Sequence, residues 1–377
     1  MQHEVLIFNW MDIKNPKAGG QERYCFEIAK RLARDGFSVT WITSKFKGGS
    51  ETETFDGINV VRVGNIFSVY VISFLEYLKR RKADFVFISI NAIPFLAPLH
   101  KRKRIIMLHH RIDLSVMKAK IGPLGAVSLF LQEYVNPIIY RKDIIITSSE
   151  SSKADFQSIG YGNMDVVRLG LDLPKTEDFH KDDLIVSPGP IRPWKHHDMV
   201  IRAFLGVDSA WKLTIFGAFE SDDYERYLRN LVKDLGVSER VSFPGRLSDD
   251  AVKEVYKKSK ICVLGTEKEG WGFVAMEAQS FGCPVVAFNV PGIKDSVIDG
   301  KTGLLVQFGD VPAMRDTLKR LTTDENLFSD LSSAAIKRSN EYDWETCYDD
   351  FKNELYKLQI SVPRRLRGFE GQTELKN

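Results

Sequence analysis

The run E-K-E-G-W-G-F-V-A-M-E-A-Q-S-F-G, residues 267–282, decides the fold of the second half of the chain. It follows a strand-like stretch, and a helix-like stretch begins at Phe273. Glu269 and Glu277 stand eight positions apart, with the bare backbone of Gly270 and Gly272 between them. Carboxylates accept hydrogen bonds from hydroxyls, and the N–H groups at a helix N-terminus bind phosphate. This combination predicts a site for an activated sugar, which is part polyol and part pyrophosphate. The alternative for Glu277 is a solvated helix residue.

Short apolar runs alternate with longer amphipathic segments on both sides of this run. The predicted strands are 5–8, 39–43, 60–63, 85–89, 105–108, 144–147 and 166–169, then 184–187, 213–216, 241–243, 261–264, 285–288 and 304–306. Helical patterns lie between many of them, and such alternation implies parallel sheets built from crossover units. The polar segment 173–183 has no apolar period and is interpreted as a linker. We therefore expect an α/β protein with two doubly wound parallel-sheet domains that face a cleft.

Composition narrows the classes of function. The chain has 377 residues, which favours two domains, and its 53 basic and 50 acidic residues nearly balance, which argues against nucleic acid as the main partner. Its four cysteines form no C-x-x-C pair, so no zinc or thioredoxin-type motif is encoded. No signal peptide and no long apolar stretch is present, and we expect a cytoplasmic protein.

Two features of the first half are candidates for ligand binding. Gly19 and Gly20 precede a helix-like segment, where glycines let a ligand approach the backbone and a helix N-terminus favours an anion; the alternative is a plain flexible turn. His109 and His110 end a predicted strand, and ligands bind at the carboxyl ends of strands in doubly wound sheets. The alternative for this pair is a solvated histidine in a loop.

Cations in the second half are candidates for phosphate binding. Arg192 and Lys195 follow the first strand of the second domain, and both side chains suit a diphosphate, although a solvated basic loop is the alternative. Gly245 and Arg246 follow another strand, where the glycine lets backbone groups meet a base edge or simply forms a turn. Since no D-x-D occurs at a strand end, no metal-bridged phosphate site is predicted.

With these residues identified, the chain resembles retaining glycosyltransferases of family 4, which have the GT-B fold, over residues 4 to 358. The likeness is densest over E-G-W-G-F-V-A-M-E-A-Q-S-F-G-C-P-V-V-A at 269–287 and D-S-V-I-D-G-K-T-G-L-L-V at 295–306. A-G-G-Q-E at 18–22 and R-V-S-F-P-G-R-L-S at 240–248 add less specific support. Y-D-W-E at 342–345 looks like the family's entry to a final helix that crosses back to the first domain.

The resemblance implies the domain ranges and the roles of the candidate residues. The ranges are an acceptor-side domain over 1–172, the linker, a donor domain over 184–343, a crossing helix over 344–360 and a basic, polar tail over 361–377. Glu277 would bind the donor ribose, Glu269 the transferred sugar and Lys195 the diphosphate. His109 would lie near the anomeric carbon, so that His109 and Glu269 are the expected catalytic residues. The donor-binding set is Gly19, Gly20, Arg192, Lys195, Arg246, Glu269, Gly270, Trp271, Gly272, Phe273, Val274 and Glu277.

The resemblance further implies a UDP- or GDP-sugar donor, retention of configuration, and no metal or other cofactor. One departure concerns the phosphate site: the family shows Gly-Arg with a lysine five residues after the arginine, whereas Gly189 here precedes Pro190. Lys195 stands five residues past that proline, and Arg192 is the candidate to replace the missing arginine. Other activities that this pattern allows are a GT-B epimerase, a phosphorylase, or a catalytically silent subunit that binds a nucleotide sugar.

The acceptor is less clearly encoded. Residues 64–82 form an aromatic-rich helical segment that ends in four cations, and 101–104 is a second basic cluster. Apolar faces beside basic clusters bind anionic membranes, but a core-facing helix with a solvated basic end has the same pattern. The expected acceptor is thus a glycan, a lipid-linked sugar or another hydroxyl compound, with peripheral binding to the inner face of a membrane as a hypothesis.

Overall fold

The computed structural model describes residues 3–80, 82–90, 93, 95, 103–109, 124–174 and 179–360. His110, Arg81, residues 101–102, part of the predicted linker and the tail from residue 361 lie outside the described residues. Contacts divide the described chain into two compact units. The first unit holds the residues up to Thr147, Phe156–Val167 and those from Tyr348 onward, and the second holds Ser148–Asp155 and Arg168–Cys347.

The first unit contains one sheet and the helices that cover it. Its strands are β1 (Glu4–Phe8), β2 (Ser38–Thr43), β3 (Thr52–Phe55), β4 (Ile58–Arg62), β5 (Phe85–Ile90), β6 (Lys103–Leu108), β7 (Ile144–Thr147) and β8 (Met164–Val166). Its helices are α1 (Gly20–Arg34), α2 (Val69–Lys79), α3 (Leu124–Phe130), a π-helical turn (Leu131–Val135) and α4 (Asn136–Ile139), while α5 (Glu150–Gln157) is divided between the units. The strand order is β3-β4-β2-β1-β5-β6-β7-β8, and every pairing is parallel except β3 with β4.

The second unit is a parallel sheet throughout its described strands. These are β9 (Asp182–Pro188), β10 (Lys212–Phe216), β11 (Val241–Gly245), β12 (Ser259–Leu264), β13 (Val285–Phe288) and β14 (Gly303–Val306). Its helices are α6 (His197–Phe204), α7 (Asp222–Asp234), α8 (Asp249–Lys258), α9 (Phe273–Ser280), α10 (Ile293–Ser296), α11 (Val311–Thr323) and α12 (Glu325–Ser339). The order β11-β10-β9-β12-β13-β14 reverses direction between β9 and β12, and ligands bind at such a switch point.

The final helix, α13 (Trp344–Lys357), is divided between the units after Cys347. Trp344 Nε1 donates to Asp172 Oδ1 at 3.0 Å within the second unit. The ring of Phe351 lies 5.2 Å from that of Phe87 within the first unit. The units differ from the ranges predicted from the sequence at 148–155 and 168–172, both of which group with the second sheet. Leu171 N–H, for example, donates to Tyr342 O at 2.7 Å.

The doubly wound α/β class predicted from the sequence is confirmed, and most strands agree within a residue or two. The strand predicted at 166–169 is wrong in position, since β8 ends at Val166. β3 was not predicted because its sequence, T-E-T-F, is polar and it pairs along only one edge. Among the described residues, no helix combines the length and the apolar character needed to cross a membrane.

A buried ion pair ties together the strands at one edge of the first sheet. Arg62, at the end of β4, donates to Asp12 through Nε at 2.7 Å and through Nη2 at 3.0 Å, and both side chains are fully buried. Its Nη1 also reaches Ser50 O at 2.8 Å and Glu53 Oε2 at 3.1 Å. Because a buried guanidinium and carboxylate compensate each other's desolvation, loss of one partner leaves an unpaired buried charge.

We predict that Arg62→Met lowers the free energy of unfolding by about 3–5 kcal/mol, because it leaves the Asp12 carboxylate buried without its cation. The measurement is urea denaturation of the full chain. The matched control is Lys45→Met, which breaks an exposed pair with Glu51 and should leave stability nearly unchanged. Equal effects of the two substitutions would contradict the assignment.

Candidate functional site

Two loops meet at the carboxyl edge of the second sheet, where its strand order reverses. One loop follows β9 and runs through Gly189 and a short 3-10 helix (Pro193–Lys195) into α6. The other follows β12 and runs from Gly265 into α9. Since β9 and β12 are paired neighbours, their carboxyl ends bring the two loops side by side.

Gly265 allows this close packing. A side-chain Cβ built at Gly265 would lie 2.6 Å from His196 O and 2.9 Å from Lys195 O, which no side chain tolerates. The loops are also joined by a hydrogen bond between His196 Nε2 and Glu267 Oε2 at 3.3 Å. The glycine therefore sets how near the first loop comes to the second.

The contact places the two strongest sequence candidates together. Lys195 Nζ donates to Glu269 Oε1, and the two side chains are only 17% and 19% exposed. Glu269 is held from behind, since its N–H donates to Pro291 O at 3.0 Å. With Ser187 and Thr266 they line a small cavity at the sheet edge. The arrangement offers one cation and one carboxylate in the loops that lead into α6 and α9.

A buried histidine lies behind this pair. His197, the first residue of α6, lines the same cavity and is 2% exposed, and its Nδ1 has no hydrogen-bond partner among the described residues. Burial lowers its pKa from 6.5 to about 3, and the nearby positive charges of Lys195 and His196 add to the effect. His197 is therefore neutral at physiological pH.

The N-terminus of α9 is fixed by left-handed backbone. Gly272, the N-cap, has φ +79°, and a Cβ there would lie 2.6 Å from Ser296 Oγ, so only glycine fits. The carbonyl of Gly270 accepts hydrogen bonds from Ser149 Oγ at 2.6 Å and Ser152 Oγ at 3.0 Å. Since the first N–H groups of a helix have no partner within it, those of Phe273 and Val274 are suited to an anion.

Other predicted residues have different surroundings. Glu277 is partly buried on α9, and burial raises the pKa of the neighbouring Tyr256, with the Glu277 charge adding to the rise. Arg192 is paired with Glu220 at 3.8 Å and stacks over Trp194, while Arg246 is exposed. Trp271 is only 4% exposed, and its ring lies 5.3 Å from that of Tyr342, so its side chain belongs to the core.

In the first unit, the Gly19–Gly20 turn begins α1 at the carboxyl end of β1. Gly19 N–H donates to Glu22 Oε2 at 2.9 Å, and Trp10 Nε1 donates to Glu22 Oε1 at 3.1 Å. Burial raises the pKa of Glu22, although these hydrogen bonds oppose the rise. A Cβ at Gly20 would have nothing within 4 Å, so packing within the protein does not require a glycine there.

His109 belongs to the same sheet edge. Its Nε2 lies 2.9 Å from Ser89 Oγ, which also accepts from Gln21 Nε2 at 2.7 Å. Gln21 follows Gly20 directly, so this chain of hydrogen bonds joins the glycine turn to the histidine. Sequence reasoning missed Gln21 and Ser89, although both lie at strand or helix ends where polar residues are informative. The choice between His109 and His110 stays open, since His110 lies outside the described residues.

Models of two protein families match successive parts of the chain. "Glycosyl transferases group 1" matches residues 172–338, and "Glycosyltransferase Family 4" matches residues 18–175. An uncharacterized glycosyltransferase of Haemophilus influenzae is 26% identical over 356 residues, which are 89% of this chain and 96% of that protein.

Solved structures show the same fold. Sucrose-phosphate synthase from Thermosynechococcus elongatus aligns with a TM-score of 0.78 at 19% identity, over 95% of this chain and 99% of that one. HepE of Anabaena, in complex with UDP and glucose, aligns with a TM-score of 0.75 at 16% identity, over 94% and 100%. At these identities the likeness is one of fold.

The buried His197 predicts a loss of stability in mild acid. The folded-state pKa of about 3 lies below the ordinary 6.5, so only the unfolded chain takes up this proton as the pH falls below 6.5. We expect this group alone to remove about 2 kcal/mol of stability between pH 7 and pH 5. His197→Gln should remove that part of the pH dependence in denaturation experiments. The control is His180→Gln, because the side chain of His180 is 92% exposed, and it should leave the pH dependence of stability unchanged. Identical pH profiles for the parent protein and both variants would contradict the prediction.

Proposed function

We infer the activity from one premise: this chain belongs to glycosyltransferase family 4 and has the GT-B fold. We propose that it moves a hexose-type sugar from a nucleoside diphosphate sugar to a hydroxyl acceptor, with retention of anomeric configuration and without a metal. The observation that carries this proposal is the Lys195–Glu269 pair at the switch point of the second sheet, beside the N-terminus of α9.

The donor is held by complementary groups. Glu269 accepts hydrogen bonds from hydroxyls of the transferred sugar, and Glu277 accepts them from the ribose. Lys195 and the first N–H groups of α9 bind the diphosphate, whose negative charge competes with Glu269 for the lysine. Arg192 and Arg246 are secondary candidates, because Arg192 already has Glu220 and Trp194 as partners.

The reaction breaks the bond between the anomeric carbon and the diphosphate oxygen and forms one to the acceptor oxygen on the same face. The bonding electrons leave with the diphosphate, which gains negative charge. The acceptor proton passes to an oxygen of that departing diphosphate. Lys195 and the helix N–H groups stabilise the developing charge, and such electrostatic stabilisation is the largest contribution to catalysis in many enzymes. Gly20 and His109 of the first unit contact the donor near its diphosphate and anomeric carbon in this proposal.

The donor base is uridine or guanosine in this proposal. The complex of HepE with UDP and glucose supports uridine as the first choice. The acceptor is a sugar hydroxyl of a glycan or of a lipid-linked glycan.

The proposal predicts separate roles for the two glutamates. A thermal-shift series with UDP-, GDP- and ADP-sugars at equal concentration first identifies the donor, since a ligand at concentration L raises apparent stability by RT ln(1 + L/Kd) and the tightest binder therefore gives the largest shift. With that donor, Glu277→Gln should weaken binding about 10- to 100-fold through lost charged hydrogen bonds. Glu269→Gln should lower kcat about a hundredfold with a smaller change in donor affinity.

The matched control is Glu254→Gln on α8, an exposed carboxylate that pairs with the surface residue Lys257. If both site variants bind and turn over the donor like the control, the site assignment is wrong. Product analysis separates the reactions: anomeric inversion contradicts retention, and donor turnover only with inorganic phosphate identifies a phosphorylase. A change in the sugar without transfer identifies an epimerase. Donor binding with no turnover across a broad acceptor panel identifies a silent subunit.

The glycine turn of the first unit gives a further prediction. Gly20→Ala adds a methyl group into open space at the first position of α1, so stability should stay the same or rise slightly. Turnover should nevertheless fall at least about tenfold if donor phosphates approach that backbone. Gly162→Ala also adds a methyl group into open space and is the control, with no expected effect on turnover. Wild-type kinetics for Gly20→Ala would remove Gly20 from the proposed site.

A further inference from the structure

The outer face of α2 carries large apolar side chains in water. Phe67, just before the helix, Val71 and Leu75 are 59%, 60% and 54% exposed, and their spacing of four places them on one side. The opposite side of the helix, with Val69 and Tyr77, is buried in the core of the first unit. This helix is apolar on both sides, so its outer face exposes apolar side chains to water. Such an exposed apolar face is typical of a surface that binds a partner or a membrane.

A second apolar stripe follows the helical segment from α3 to α4. Val127, Phe130, Tyr134 and Ile138 are 55%, 57%, 63% and 68% exposed. The rings of Phe130 and Tyr134 lie 5.5 Å apart, which shows that they share one face across the π-helical turn. Among the described residues of the first unit, the two stripes contain most of the exposed large apolar side chains.

The π-helical turn is held in place from within. Pro137, five residues after Gln132, has no N–H to donate to the Gln132 carbonyl. The buried hydroxyl of Tyr161 donates to that carbonyl at 3.1 Å. This hydrogen bond anchors the segment to the core of the first unit, with Tyr134 and Ile138 on its exposed side.

Both stripes lie on the same side of the first sheet. Val69 and Tyr77 of α2, and Tyr140 at the end of α4, pack with Phe8 and Ile88 in one core cluster. Phe8 and Ile88 project from one face of the sheet, because side chains alternate along a strand. The outer surfaces of the two helical segments therefore form one side of the unit.

Basic residues cluster at one end of these stripes. Lys79 at the end of α2 and Lys82 just beyond it are exposed, as are Arg141 and Lys142 after α4. Helices that connect parallel strands run opposite to them, so both C-termini point to the same edge of the sheet. The acidic residues of the two segments, Glu76 and Glu133, are only partly exposed, and Glu76 pairs with Lys79 and Arg80.

We propose that this side of the first unit, the two apolar stripes with their basic edge, binds the surface of an anionic lipid bilayer. Apolar side chains enter the boundary of the acyl chains while lysine and arginine stay at the level of the head groups. The most exposed charges at this end are positive, while its acidic side chains are partly buried, and this excess of positive charge favours anionic lipid over a protein partner. Binding to the bilayer would bring the protein to a lipid-linked acceptor, and this role rests on the proposed function. Vesicle binding itself is measured without a donor, so it can fail or succeed independently of the proposed sugar transfer.

The test is co-sedimentation of the full chain with phosphatidylcholine vesicles, and with vesicles that contain equal amounts of phosphatidylcholine and phosphatidylglycerol. The parent protein should bind the anionic vesicles, and binding should weaken as salt rises. Combined Phe130→Ser, Tyr134→Ser and Ile138→Ser should weaken it at least about tenfold, with a similar loss for Phe67→Ser, Val71→Ser and Leu75→Ser. Each of Lys79→Ser, Lys82→Ser, Arg141→Ser and Lys142→Ser should weaken it about fivefold.

Tyr356→Ser is the apolar control, since Tyr356 is 55% exposed on α13, which packs on the opposite face of the same sheet through Phe87. Arg226→Ser with Arg229→Ser on α7 is the charge control, and neither should change binding. Circular dichroism verifies that each variant is folded. Absence of preference for anionic vesicles, or equal binding by stripe variants and controls, overturns the proposal. A parent dimer that the stripe variants convert to monomer, with vesicle binding unchanged, also overturns it and identifies a second copy as the occupant.

Discussion

The close packing of two strand-end loops, made possible by the missing side chain of Gly265, is the constraint on which the candidate site depends. It brings the backbone of Lys195 and His196 against the second loop and sets the lysine beside Glu269. β9 and β12 are neighbouring strands at the switch point, and their carboxyl ends place the two loops together. The topology of the sheet therefore determines which residues meet at the site, and Gly265 allows the two loops to come close enough for them to do so.

Each unit builds its candidate groups in the same physical way. In the second unit a helix N-terminus, a cation and a carboxylate meet at the carboxyl edge of the sheet. In the first unit, Gly20 begins a helix at the end of β1. Ser89 on β5 contacts His109 and accepts a hydrogen bond from Gln21 of α1. In both cases a side chain that can act on a ligand is supported by hydrogen bonds or ion pairs from the adjacent loop.

Much of this could be predicted from the sequence because it rests on local patterns. Alternating apolar runs located most strands, and the spacing of glycines and glutamates marked the loop before α9. The polar edge strand β3 could not be found that way, because its pairing partner and not its composition makes it a strand. The Lys195–Glu269 pair joins residues 74 positions apart, and no local pattern indicates that these two candidates bind each other. The burial of Trp271 depends in the same way on Tyr342, far along the chain.

The central claim is that a nucleotide sugar binds at the switch point of the second sheet. Amide hydrogen exchange measured by mass spectrometry, with and without the nucleotide sugar that stabilises the protein most, tests it directly. The account predicts slower exchange in residues 189–197 and 265–277, including the first turn of α9, when the donor is bound. Slower exchange confined to other parts of the chain, with these two segments unchanged at saturation, would contradict it.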